Sequence, residues 1–217
     1  MRGTIHYNLC QAGKLFWKTL LGFFELTDSM KIAWGITGSG DLLPETITVM
    51  KEVVNLDSRP KLYIFLSKAA RQVVKWYGLS RELESLSSKI FQEVDANTTE
   101  PFYYLPGALQ LRKFDFFLIC PATANTVAKV VNGIADTLIT NSVAQATKAN
   151  VPTYILPVDQ TEGKITTKLP SGQKLELEIR QTDLDNVHGL SSMKSIHILH
   201  NPSEIKAIIT STAHQSS

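Results

Sequence analysis

From Lys31 onward, short apolar runs alternate with segments of helical periodicity, and no other feature restricts the fold as strongly. Apolar runs of four or five residues between turn signals are typical of parallel strands buried on both faces. The predicted strands cover residues 32–35, 62–66, 116–120 and 153–156, with a weaker strand at 196–199. This alternation predicts an α/β protein built from βαβ units, in which helices cover both faces of a mainly parallel sheet.

The segments between the strands repeat apolar residues at helical spacing. Pro44 stands early in the first predicted helix and Gly78 directly follows the second, as expected of helix start and stop signals. A length of 217 residues suits one globular domain with a substantial core, so we expect a single-domain, Rossmann-like three-layer sandwich. The predicted helices cover residues 44–54, 68–77, 80–90, 125–131 and 135–146.

Three segments depart from this pattern. Residues 164–169 and 174–179 alternate apolar and polar residues around a turn, which predicts a half-exposed β-hairpin inserted into the domain. Residues 1–29 contain an apolar stretch too short to span a membrane and no signal-peptide cleavage pattern; we expect a poorly ordered extension or a misassigned start rather than a functional arm. The domain is then residues 30–209, and the polar tail, residues 210–217, is expected to fray.

Composition excludes several classes of function. The formal net charge is only +2, with 22 basic and 20 acidic residues and no basic stripe interleaved with aromatics, so a nucleic-acid partner is not expected. Cys10 and Cys120 cannot form a disulfide framework, and neither lies in a zinc or iron–sulfur motif. We therefore expect a cytoplasmic protein with no metal site and no membrane partner.

A glycine-rich loop, GITGSGD, joins the first strand to the first helix at residues 35–41. Such a loop lets amide N–H groups converge on an anion at a helix N-terminus, and phosphate is the natural ligand. The spacing matches neither the dinucleotide fingerprint nor the P-loop, so a tight turn without a ligand fits this segment equally well. The candidate cofactor-binding residues of this loop are Thr37, Gly38, Ser39 and Gly40.

The end of the second strand argues against a dinucleotide. A Rossmann dehydrogenase places an acidic residue there for the ribose hydroxyl, whereas this chain has Leu66, Ser67 and Lys68. Ser67 fits a second phosphate contact, an ordinary helix N-cap, or both roles at once.

The segment PATANT follows the third predicted strand, and its small residues would let a planar ligand approach the backbone. Asn125 offers both an amide donor and an acceptor, which suits the edge of a flavin or a substrate carboxylate. Thr123 and Thr126 can donate to a phosphate or cap the next helix, and a purely structural loop remains an alternative. The residues assigned to this part of the site are Pro121, Ala122, Thr123, Asn125 and Thr126.

PATANT followed by AKVVNGIADTL resembles the PAxxNT signature of the homo-oligomeric flavin-containing cysteine decarboxylase superfamily, and the likeness extends through IAWGITGSG, FLSKAARQVVKWYGL and VPTYILPVDQTEGKITTKLPSG. Together these segments look most like archaeoflavoproteins of the AfpA type, relatives of the archaeal acceptor-dependent dihydromethanopterin reductase. The resemblance implies FMN, with its phosphate near Gly38, Ser39, Gly40 and Ser67 and with Thr123, Asn125 and Thr126 approaching from the third strand. It also implies a homotrimer, or a multiple of trimers, with the flavin at a subunit junction.

One departure from this superfamily bears on mechanism. Its decarboxylases carry a histidine a few residues before the strand that leads into PAxxNT, and this chain has Gly107 near that position. Because that acid/base group is missing, we expect an FMN oxidoreductase that takes electrons from a reduced carrier such as ferredoxin and passes them to an acceptor such as a pterin. No catalytic residue is assigned beyond a positioning role for Asn125. The alternatives are a flavin-dependent decarboxylase or prenyltransferase, and an electron-transfer module without its own substrate.

Overall fold

The computed structural model describes residues 29–93 and 100–215, without the side chains of residues 100–103 and 213–215. Within that part of the chain, six parallel strands form one sheet and two antiparallel strands form a hairpin. The strands are β1 (Lys31–Ile36), β2 (Lys61–Leu66), β3 (Lys89–Gln92), β4 (Phe116–Ala122), β5 (Thr153–Pro157), β6 (Lys164–Lys168), β7 (Lys174–Glu178) and β8 (Ile196–Ile198).

Helices cover both faces of the sheet, which confirms the predicted α/β sandwich. The helices are α1 (Leu43–Val54), α2 (Lys68–Trp76), α3 (Ser80–Leu86), α4 (Glu100–Gln110), α5 (Ala124–Val131), α6 (Leu138–Lys148), α7 (Gln181–Ser191) and α8 (Glu204–Gln215). The strand order is β3-β2-β1-β4-β5-β8, the Rossmann-like order in which the chain moves outward from β1 and then returns to β4 on its other side.

Two apolar clusters form the core, one on each face of the sheet, because alternate residues of the central strands point to opposite faces. Ala33 and Phe117 contribute to one cluster, whereas Trp34 and Leu118 contribute to the other. All four side chains are inaccessible to solvent. Complete burial of a large apolar side chain contributes about 1.5–3 kcal/mol, so the central strands β1 and β4 are firmly held where their carboxyl ends must support a site.

The fold departs from the sequence predictions around β3 and α4. The helix predicted over residues 80–90 ends at Leu86, and the next residues form the edge strand β3. The Ser88 amide donates to the carbonyl of Leu62 and the Glu93 amide to that of Leu66, so pairing with β2 overrides the helical pattern. Helix α4, which follows β3, was not predicted at all.

One predicted helix limit is also corrected. Helix α6 begins at Leu138 rather than at residue 135, because Thr137 and Thr140 form a reciprocal capping box. Helix α8 extends to Gln215, and within it the Thr210 hydroxyl donates to the Lys206 carbonyl. Fraying of residues 210–217 stays a prediction. The prediction for residues 1–28 lies outside the described residues.

The predicted hairpin is present, and its strands lie largely in solvent. Every residue of β7 is exposed, including Leu175 and Leu177. The hairpin reaches the rest of the domain through the Tyr77 hydroxyl, which donates to the Lys168 carbonyl at 2.7 Å. The described helices include none with the length and apolar character needed to cross a membrane.

Candidate functional site

The candidate site lies between the parallel neighbours β1 and β4, where the order in which strands are added to the sheet reverses. Strands β2 and β3 extend from one side of β1, while β5 and β8 extend from the far side of β4. In open α/β sheets, ligands bind in the crevice at the carboxyl ends of the two strands that flank such a point. The two loops there are GITGSGD after β1 and the end of β4 with PATANT, so both sequence candidates reach the same edge of the sheet.

Thr37 joins these two loops through three hydrogen bonds. Its amide and its hydroxyl both donate to the Pro121 carbonyl, at 3.2 and 2.9 Å, and its hydroxyl accepts from the Thr123 amide at 2.8 Å. The side chain is almost completely buried. The Thr37 hydroxyl therefore bonds to protein partners on both sides and holds the two loops together. A contact between Thr37 and the cofactor stays a prediction.

The turn after Thr37 leaves amide donors for an anion. The Ser39 amide donates to the Thr37 carbonyl, and the Asp41 amide donates to the Ser39 hydroxyl at 3.1 Å. Among the described residues, the amides of Gly38 and Gly40 find no protein acceptor. The Ser39 hydroxyl accepts a bond and keeps its own proton available. These donors suit a phosphate or another anion.

Both glycines have close neighbours. A Cβ on Gly38 would lie 2.5 Å from the Ala69 Cβ at the start of α2, and a Cβ on Gly40 would lie 2.2 Å from the Tyr77 hydroxyl oxygen. The tyrosine that contacts the hairpin therefore also packs against the glycine-rich loop. Burial is the main cause that raises the Tyr77 pKa above its ordinary value, with smaller contributions from Asp41 and Glu45.

Ser67 occupies the end of β2 next to this loop. Its hydroxyl accepts from the Ala70 amide at 3.1 Å, which makes it the N-cap of α2, and its amide donates to the Ile36 carbonyl. The N-cap interpretation is thereby confirmed. The hydroxyl proton is still available to a ligand, so phosphate binding by Ser67 stays a prediction.

The PATANT loop divides into buried and accessible parts. Pro121 and Ala122 are buried, and Thr123 caps α5 by accepting from the Thr126 amide at 3.3 Å. The hydroxyls of the two threonines lie 3.0 Å apart. Asn125 is exposed in the first turn of α5, so its amide can meet a ligand.

Cys120 lies beside the site but within the core. Its side chain is completely buried, and its sulfur lies 3.3 Å from the Thr46 hydroxyl. Burial raises the pKa of the thiol to about 12. A thiol that keeps its proton is a poor nucleophile, so Cys120 acts as a small core residue.

Carboxylates missed by the sequence analysis lie at the same edge. Asp159 follows β5, and burial is the main cause that raises its pKa, followed by repulsion from Asp183 and Asp41, while Arg180 opposes the rise. Burial also raises the pKa of Asp41, with Glu45 adding to it. Asp159 is half-buried, and the adjacent Val158 amide donates to the Ala122 carbonyl at 3.0 Å. Asp159 therefore holds its proton to a higher pH than a solvated carboxyl does.

Glu93 is a second group that sequence patterns do not reveal. One carboxylate oxygen accepts from the Leu138 amide at 2.6 Å, and the other accepts from the Lys68 amide at 3.0 Å. These are the first residues of α6 and α2, so one side chain connects two helix N-termini from distant parts of the chain. Only the folded sheet, in which β3 ends beside both helices, brings these groups together.

The structure thus brings the predicted residues of three separate segments to one sheet edge, and comparison with known proteins identifies the family. The Flavoprotein family model matches residues 25–215. The chain belongs to the Flavoprotein family. The predicted flavoprotein family is therefore confirmed.

Two kinds of relative from Methanocaldococcus jannaschii stand out. A protein without an assigned function is 51% identical over 183 residues, covering 83% of this chain and 94% of that protein. A dihydromethanopterin reductase (acceptor) is 46% identical over 144 residues, covering 65% of this chain. The chain spans only 58% of that reductase, so the match leaves much of the reductase unaccounted for.

Solved structures show the same fold. Burkholderia xenovorans DmrB in complex with FMN, described as a cubic protein cage for redox transfer, is 31% identical, with a TM-score of 0.71 over 88% of this chain and 98% of that one. A dodecameric FMN-dependent UbiX-like decarboxylase from Escherichia coli is 17% identical, covers 79% of each chain and has a TM-score of 0.57, a likeness of fold alone.

Replacing Thr37 with valine keeps the shape of the side chain but removes its hydroxyl. The part-buried Thr123 amide then loses its acceptor, and we expect the free energy of unfolding to fall by about 1–3 kcal/mol. Chemical denaturation followed by circular dichroism measures this. Thr48→Val is the matched control, since the Thr48 hydroxyl donates to the Pro44 carbonyl on an exposed helix face; its cost should stay within about 0.5 kcal/mol. Equal losses in both variants would contradict the joining role of Thr37.

Replacing Asp159 with asparagine should stabilise the protein at neutral pH. The folded state raises the pKa of this carboxyl, so it holds the proton more tightly than the unfolded state, and stability is lost as the pH rises through the raised pKa. Thermal unfolding of Asp159→Asn should therefore show a higher Tm than wild type at pH 7. The difference should close below about pH 3, where the wild-type carboxyl is protonated in both states. The exposed Asp185→Asn serves as control; a Tm gain that persists at low pH would refute the assignment.

Proposed function

We propose that this flavoprotein binds FMN at the carboxyl edge of β1 and β4 and transfers electrons from a reduced carrier such as ferredoxin to a small acceptor. A dihydropterin such as dihydromethanopterin is the proposed acceptor. The single observation that carries the proposal is the set of amide donors at Gly38 and Gly40, held beside PATANT by Thr37. The comparisons support it through DmrB with FMN and through the named reductase.

The residues present fit the phosphate end of FMN. The amides of Gly38 and Gly40, with the hydroxyls of Ser39 and Ser67, would hold the phosphate oxygens. Nearby Asp41 and Glu45 are acidic, so backbone dipoles and helix N-termini must supply the attraction for the anion. The close contact between Gly38 and Ala69 leaves no space for a side chain at this position.

The accessible part of PATANT fits the flavin ring. Asn125 is exposed and would donate to or accept from polar atoms of the ring or the acceptor. Pro121 and Ala122 are buried behind it and would support the loop with little side-chain bulk. When bound, FMN supplies the electron-transfer chemistry, while the protein positions the reactants and controls the surrounding electrostatics.

Asp159 is the residue that we propose as proton donor. Reduction of a carbon–nitrogen double bond in an acceptor consumes a proton at nitrogen. The Asp159 carboxyl, half-buried at the end of β5, would hold that proton, and its raised pKa keeps it protonated to higher pH. This assignment fills the acid/base role that the sequence leaves open.

The absence of a histidine near Gly107 favours this reaction over cysteine decarboxylation. Gly107 lies in α4, and a Cβ there would meet no atom within 4 Å. The sequence offers no imidazole at that position to serve the cysteinyl substrate. The predicted trimeric building block and the electron carrier remain predictions; the cage and dodecamer assemblies of the two structural relatives are the support for a homo-oligomer.

The purified protein should carry a visible flavin spectrum, and mass spectrometry of the released cofactor should identify FMN. Reduced ferredoxin should reduce the bound flavin, and dihydromethanopterin should reoxidise it with formation of the tetrahydro product. A protein that does not take up FMN would refute the site. Bound FMN that never transfers electrons to a pterin would leave an electron-transfer module, and carbon dioxide release from a cysteinyl substrate would favour a decarboxylase.

The Gly38→Ala variant tests the phosphate cradle directly. The new Cβ would overlap the Ala69 Cβ, displacing the loop and its amide donors. Loss of one charge-assisted hydrogen bond is worth about 1.5–3 kcal/mol, so the FMN Kd should rise about ten- to hundred-fold. Gly107→Ala is the matched control, because that position is open, and its FMN Kd should equal the wild-type value. Unchanged FMN affinity in Gly38→Ala would place the phosphate elsewhere.

The Asp159→Asn variant tests the proton donor. It should bind FMN normally and accept electrons from the carrier, but reduce the pterin more slowly. Wild-type turnover should fall as the pH rises through the raised pKa of Asp159, and the variant should lack this fall. A variant with the wild-type pH profile would rule Asp159 out.

A further inference from the structure

Glu93 has a carboxylate to which the function proposed above assigns no role. Its carboxylate accepts from the first amides of two helices, Lys68 in α2 and Leu138 in α6, at 3.0 and 2.6 Å. Neither helix has an acidic residue in its own first turn. A carboxylate from a third element therefore supplies the negative charge that helix N-termini favour.

Both helix N-termini lie at the candidate flavin site. Helix α2 begins directly after Ser67, and its Ala69 packs against Gly38. The first turn of α6 covers β1, since a Cβ on Gly35 would lie 2.9 Å from the Ile139 Cδ1. Glu93 itself follows β3, and its amide donates to the Leu66 carbonyl, one residue before Ser67. The Glu93 carboxylate accepts from the amide of Lys68, the residue that follows the proposed phosphate ligand Ser67.

We infer that Glu93 is a positioning residue that sets the electrostatic potential of the flavin site, by neutralising the N-termini of α2 and α6 while holding them at a fixed separation. The inference rests on the proposed FMN function. Reduced FMN carries more negative charge than oxidised FMN, and its phosphate is an anion. A fixed carboxylate beside them makes reduction harder and phosphate binding weaker than two uncompensated helix N-termini would.

The direction in which FMN affinity changes when Glu93 loses its charge distinguishes this electrostatic role from a purely structural one. If Glu93 only stabilised the scaffold, its loss would loosen α2 and weaken FMN binding. If Glu93 tunes the potential, loss of its charge leaves the helix N-termini exposed to the ligand and strengthens FMN binding. The same loss of charge shifts the reduction midpoint of bound FMN to a more positive potential.

The test compares Glu93→Gln, which keeps the length of the side chain and removes the charge, with Glu93→Asp, which keeps the charge. Glu84→Gln is the matched control, because Glu84 is an exposed carboxylate on α3. Two quantities are measured on the folded, full-length protein: the FMN Kd by titration of the apoprotein, and the midpoint potential of bound FMN. Circular dichroism confirms that each variant is folded.

For Glu93→Gln we expect a several-fold lower FMN Kd and a more positive midpoint potential. Glu93→Asp and Glu84→Gln should keep the wild-type potential. A higher FMN Kd, an unchanged potential or a failure to fold in Glu93→Gln would overturn the inference and leave a structural tether. A wild-type protein that binds no FMN would instead refute the proposed function, so the two failures are distinguishable.

Discussion

The site depends on one buried hydroxyl. The Thr37 side chain follows the end of β1, donates to the Pro121 carbonyl and accepts from the Thr123 amide, so it joins the ends of β1 and β4. A buried amide or carbonyl without a partner costs about 1–3 kcal/mol of free energy. Separating the two loops would therefore lower the stability of the protein. The positions of the glycine turn, PATANT and the start of α5 all follow from this contact.

Backbone groups rather than side chains supply the positive potential at the sheet edge. Asp41, which ends the glycine turn, and its neighbour Glu45 are both acidic, so the attraction for an anion comes from backbone amides and helix N-termini. Backbone dipoles are fixed in place by the fold and do not need to reorganise when charge changes at a ligand. That property suits a cofactor whose charge alternates during turnover, as in the proposed electron transfer.

Much of the fold could be predicted from sequence, because the central strands are continuous apolar runs, as buried parallel strands require. Strand β3 could not, since Ile90 and Phe91 fit a helical pattern equally well and only pairing with β2 decides between the two. The sequence predicted the site loops, and the structure places them together. It could not predict the roles of Glu93, Asp159 or Tyr77, whose partners are tens of residues away along the chain and meet only after folding.

The hairpin has a consequence for dynamics. An isolated pair of strands is marginally stable in water, and here both strands lie beside the domain rather than within its core. The Tyr77 hydroxyl anchors it at Lys168, directly above Gly40. Segments with few buried contacts open with a free energy well below that of global unfolding. Backbone amides of β6 and β7 should therefore exchange with solvent deuterium long before those of β1 and β4, and access to the glycine turn can change while the central sheet stays folded.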